Sequence, residues 1–76
     1  MIPELEAVAL TEDIAEYGLK SGDLGTIVHV VPGEGYVVEF VTFSGHTVAL
    51  LDLEPHQVRR LEEHDIKTVR HYNASA

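Results

Sequence analysis

Gly18-Leu-Lys-Ser-Gly-Asp-Leu-Gly-Thr-Ile-Val28 is the stretch on which the fold turns. Its first half is turn chemistry. Gly18 stops the polar run that precedes it, and Lys20-Ser-Gly-Asp23 gathers residues that accept left-handed backbone or hydrogen-bond their own main chain. Its second half opens Leu24-Gly-Thr-Ile-Val-His-Val-Val31, a β-branched run of strand length. A turn that feeds directly into such a run sets a β reading for the chain around it.

Working outward, the same alternation of turn and strand recurs. Upstream, Glu6-Ala-Val-Ala-Leu10 alternates, with Val8 and Leu10 as the inward pair. Thr11-Glu-Asp-Ile-Ala-Glu-Tyr-Gly18 is polar. Thr11 is an acceptable N-cap with acids in the first turn, so a single helical turn is expected there, ended by Gly18. Downstream, Pro32-Gly-Glu-Gly35 is the strongest turn signal in the chain. Tyr36-Val-Val-Glu-Phe-Val41 follows, with Tyr36, Val38 and Phe40 on one face. Thr42-Phe-Ser-Gly45 returns the chain into His46-Thr-Val-Ala-Leu-Leu51. Asp52-Leu-Glu-Pro-His56 reads as one tight turn before Gln57-Val-Arg-Arg-Leu61. These signals predict an all-β domain over residues 1–61: a small barrel of about five short antiparallel strands with one helical turn. Closing the barrel would remove exposed sheet edges.

Residues 62–76 form a polar C-terminal tail that reads as mobile or as ordered by a partner. Ile66, Val69 and Tyr72, spaced at three, would make one stripe of a helix. β-branched residues and a polar finish weaken that reading.

The Gly18–Val28 stretch is similar to the turn-and-strand signature of KOW-type and related SH3-like barrels. In those folds the first glycine permits the turn and the second lets the strand bend into the barrel. More specifically, the chain resembles an uncharacterised bacterial family, domain-of-unknown-function family 4926. The resemblance rests on Val8-Ala-Leu10, Asp13, Tyr17-Gly-Leu19, Gly22-Asp-Leu-Gly-Thr26, Tyr36-Val-Val-Glu-Phe40 and Thr47-Val-Ala-Leu50, and covers roughly residues 6–61. Members are small single domains without assigned catalytic residues. Some lie beside toxin-like proteins, which implies an antitoxin-like or immunity-like role.

Composition narrows the function classes. The 76 residues include no cysteine, which excludes a disulfide framework and thiolate zinc. Acids stand where a secretory leader would carry Lys or Arg, and no run approaches the roughly 18 apolar residues of a membrane span. The expectation is therefore a soluble, cytoplasmic protein. The formal net charge of −8 is uneven: residues 1–56 hold ten acids and only Lys20, whereas 57–76 hold Arg59, Arg60, Lys67 and Arg70 against three acids. Phosphate binding relies on Lys and Arg displacing counterions, so an acidic body repels nucleic acid. Acidity also serves solubility, and it can steer a basic protein partner.

Catalytic chemistry finds no constellation. Ser21 and Ser44 sit beside glycines in turns, where Ser is ordinary, and no base-and-orienter pair accompanies them. Glu12/Asp13 and Glu62/Glu63 are adjacent and read as solvated. Glu39 is the one acid inside an apolar strand, on the face opposite Tyr36 and Phe40. Among His29, His46, His56, His64 and His71 there is no close metal-ligand spacing, although His29, His46 and Glu39 lie on strands that could be neighbours. No cofactor or metal is expected.

The reading is a small, acidic, non-catalytic protein-interaction module, antitoxin-like or regulatory, that binds a more basic protein. The alternative is a nucleic-acid or translation-associated KOW-like barrel. Candidate partner contacts are Phe43, in a turn beside Ser44-Gly45, together with Glu39, Arg59 and Arg60. Self-association through an edge strand or the tail is a third route for so small a core.

Overall fold

Alternation along each strand decides which side chains meet. The computed structural model describes residues 1–73. It contains β1 (Ala7–Leu10), β2 (Leu24–Val31), β3 (Gly35–Val41), β4 (Thr47–Leu53) and β5 (Val58–Arg60). All neighbouring pairs are antiparallel, in the order β4-β3-β2-β1-β5 within one five-stranded sheet. The inward residues assemble one core: Val8 and Leu10 from β1, Ile27 from β2, Tyr36, Val38 and Phe40 from β3, Ala49, Leu51 and Leu53 from β4, and Val58 from β5, with Leu19 at one end. The Tyr36 hydroxyl, the polar tip of a buried ring, accepts the Ile2 N–H at 3.0 Å. On the outer face Ala7, Thr26, Glu39 and Leu50 line up across β1 to β4.

Gly25 explains how so few residues curl the sheet. A Cβ there would lie 2.6 Å from Val38 Cγ1 and 2.8 Å from Phe40 Cε1, so β2 runs against the core side of β3 more closely than any side chain allows. Register then shifts between Ile27 and His29, with Val28 as the extra residue, and a second shift follows at Phe40/Val41. Such bulges bend and twist a sheet locally. The glycine and the bulges together give the barrel-like curvature.

Several local expectations are corrected. The helical turn is a 3-10 turn over Ala15–Tyr17, and Ile14, not Thr11, occupies its N-cap. Thr11 is used elsewhere: its N–H donates to the Gln57 carbonyl (2.9 Å) and its hydroxyl to the His56 carbonyl (2.6 Å). Gly18 does end the turn, with φ 68. His46 lies outside β4, held in the hairpin by its N–H to Thr42 Oγ1 (3.1 Å). Asp52 and Leu53 belong to β4, and the turn that follows is a 3-10 turn over Pro55–Gln57. The Gln57 side chain accepts the Glu54 N–H at 2.8 Å within a reciprocal capping box.

Closure is also incomplete. Among the described residues β4 and β5 are not paired to each other, so the sheet keeps two edges, contrary to the expectation that the barrel removes them. The tail forms no helix over the described residues. It makes a turn at Glu62–Asp65 and then runs back to the Tyr17–Asp23 segment. Only Tyr72 of the Ile66/Val69/Tyr72 stripe is partly covered, while Ile66 and Val69 stand in solvent. Residues 74–76 of the tail lie outside the described residues. No helix of the described residues is long and apolar enough to cross a membrane.

Candidate interaction surfaces

Four surface features follow from this frame. The first is the tip of the β3–β4 hairpin. Thr42 organises it: its carbonyl accepts the Gly45 N–H (2.9 Å), its N–H donates to the His46 carbonyl (2.8 Å), and its hydroxyl lies 3.1 Å from Ser44 Oγ. A turn closed by its own hydrogen bonds leaves the Phe43 ring no role in the core, and the ring is fully exposed. Val41, half exposed, lies beside it in sequence.

Glu39 is half-buried on the outer face of β3, where its carboxylate accepts the Thr47 hydroxyl at 3.0 Å. It faces away from Tyr36 and Phe40, as alternation requires.

The third feature is a set of internal ion pairs that engages every arginine. Arg59 grips Asp65 through both terminal nitrogens at 2.9 Å, a bidentate fork. That fork, helped by the Glu62 N–H, holds the Asp65 carboxyl down at about 2, and the same pairing raises Arg59. Arg60 Nε lies 3.3 Å from Glu6. Arg70 pairs with Asp23 and also donates to the Gly18 carbonyl at 2.9 Å. Burial pushes the Asp23 carboxyl up, yet the Arg70 hydrogen bonds and the Lys20 N–H outweigh it and hold it below the usual carboxylate range. The Tyr72 hydroxyl adds a bond to the Tyr17 carbonyl at 2.9 Å. The tail is thus held at Asp65 and again at Arg70 and Tyr72.

The fourth is a cleft of about 370 Å³ between the Ala15–Tyr17 turn and β4, lined by Ile14, Glu16, Tyr17, Leu50, Leu51, Asp52, Leu53 and Gln57. Sequence reasoning missed it because its walls come from distant parts of the chain. The available signal was the solvent-side pair Leu50 and Asp52, an exposed leucine and an acid that no neighbouring base balances.

The sequence-derived contacts do not converge on one patch. Glu39 sits on β3 and Phe43 at the hairpin tip, whereas Arg59 and Arg60 sit on β5, at the other edge of the sheet order. His29 is 3.5 Å from Glu4, not beside Glu39, and His46 stays in the hairpin. Among the described residues no three metal-capable groups cluster, and no charged or polar side chain is buried.

Fold and surface together define a small antiparallel β-module whose distinctive features all lie on its outside. The family model of Domain of unknown function (DUF4926) matches residues 4–60, most of the chain and every strand, and the chain belongs to that family. No curated protein and no solved structure matches it.

Proposed function

We propose that this protein is a small, acidic, non-catalytic interaction module that binds a more basic partner protein in the bacterial cytoplasm, as an antitoxin-like or regulatory subunit. One observation carries the reading: the three arginines are all spent on acids of their own chain, at Asp65, Glu6 and Asp23. The basic tail therefore offers few free cations, while Glu16, Glu34, Asp52, Glu62 and Glu63 make no ion pair among the described residues. A surface of that sign attracts cationic protein and repels phosphate. The non-catalytic part rests on the sequence, in which Ser21 and Ser44 sit beside glycines in turns with no base-and-orienter pair.

The test is recovery of the tagged chain from its source cells at low ionic strength, with bound material identified by mass and by nucleic-acid stain. A stoichiometric basic protein is the expected result. Nucleic acid or ribosomal material in its place would overturn the reading, as would recovery of the chain alone.

A further inference from the structure

The outer edge of β4 has the features of a docking strand. Its inner edge is paired along its length to β3, from Tyr36↔Leu53 to Val41↔Thr47. On the outer edge, no amide or carbonyl of Thr47–Leu53 has a hydrogen-bond partner among the described residues. Proteins commonly blunt such an edge with lysine, proline or a covering loop, because an unpaired row of backbone groups is a template for another strand. β4 carries no lysine or proline, its charge is the single Asp52 and its bulge falls near the start at Val48, and the cleft lies between Leu50–Leu53 and the Ala15–Tyr17 turn.

The flanking side chains define the occupant. Leu50 is 59% exposed and Tyr17 42%, which leaves apolar surface on both walls. Glu16 stands on one wall and Asp52 on the other, both exposed and neither in an ion pair. A second copy of the chain would bring its own Glu16 and Asp52 against these and add a further −8 of charge. An extended segment that carries both basic and apolar residues meets both demands. Its backbone satisfies the edge, while the side chains it turns to the outer face meet Leu50 and Asp52, which share that face of β4.

We infer that the β4 edge and its cleft accept an extended, basic segment of the partner protein as a sixth strand. The inference rests on the interaction-module reading above and adds the place and the mode of binding.

The experiment compares the recovered complex for four chains: wild type, Glu16→Lys/Asp52→Lys, Glu62→Lys/Glu63→Lys and Phe43→Ala. The two double variants change net charge equally, so they separate a local contact from general attraction. All positions changed are exposed, and a thermal melt confirms folding before binding is scored. Loss of affinity by ten-fold or more for Glu16→Lys/Asp52→Lys, with less than about three-fold for Glu62→Lys/Glu63→Lys, is expected. Amide exchange of the wild-type complex should in addition slow along Leu50–Leu53. Equal losses in the two double variants, unchanged exchange along β4, or loss confined to Phe43→Ala would overturn the β4 proposal and leave the interaction reading standing. Failure of the wild-type chain to recover any protein would overturn both.

Discussion

Gly25 is where one hydrogen atom decides the fold. Val38 and Phe40 fill the space a side chain would need, and both belong to the core rather than to a flexible rim. Gly25→Val should therefore cost about 2 kcal/mol or more, toward the upper end of what overpacking a core costs. Urea unfolding measures it, and a variant as stable as the parent would mean that β2 does not cross β3 there. Phe43 is the opposite case. Its ring is solvated on a turn that hydrogen-bonds itself shut, so Phe43→Ala should change stability by less than about 0.5 kcal/mol. A loss above ~2 kcal/mol would place the ring in the core. Both assignments were legible in the sequence, because a glycine inside a β-branched run and an aromatic beside Ser-Gly each have few structural explanations.

At the scale of elements, the tail is the part whose behaviour the ion pairs dictate. Removing the Arg70 guanidinium breaks its contacts with Asp23 and with the Gly18 carbonyl together. In Arg70→Ala, amides of residues 66–73 should exchange faster while those of β2 and β3 stay protected, and global stability should fall by no more than ~1 kcal/mol, as for surface pairs generally. Equal protection in variant and parent would show that other contacts hold the tail. Acid should have the same effect. Asp65 and Asp23 both titrate lower in the folded chain than their ordinary 3.8. Their contribution is thus complete above about pH 4 and is lost as pH falls through the folded values, near 2 for Asp65. A carboxyl NMR titration that placed Asp65 at its ordinary value would contradict the fork with Arg59. β2 matched its expected bounds, Leu24–Val31, because a β-branched run flanked by turn residues is a purely local signal. The end of β4 was not legible. Asp52 before Leu-Glu-Pro resembles a turn, and only pairing with Val37 and Tyr36 across the sheet keeps it in the strand. The docking of the tail was hidden for the same reason, since Arg70 and Asp23 meet across 47 residues.

Over the whole molecule, composition predicted the charge, and alternation predicted the all-β core. Neither could foresee that the sheet stays open between β4 and β5, because closure depends on how far two edge strands curl toward each other. The cleft lies along β4, one of the two edge strands of that open sheet. What composition alone could not show is the pairing: the arginines are neutralised within the chain, while Glu16, Glu34, Asp52, Glu62 and Glu63 make no ion pair among the described residues. Whether this acidic exterior binds a basic protein is tested most directly by native mass spectrometry of the complex recovered from source cells, at two ionic strengths. Charge-steered contacts weaken as the Debye length drops from about 10 Å near 0.1 M salt to about 3 Å near 1 M. A defined complex with one basic chain that dissociates as salt rises is expected. A complex with an acidic or neutral chain, or one whose stability ignores salt, would contradict it.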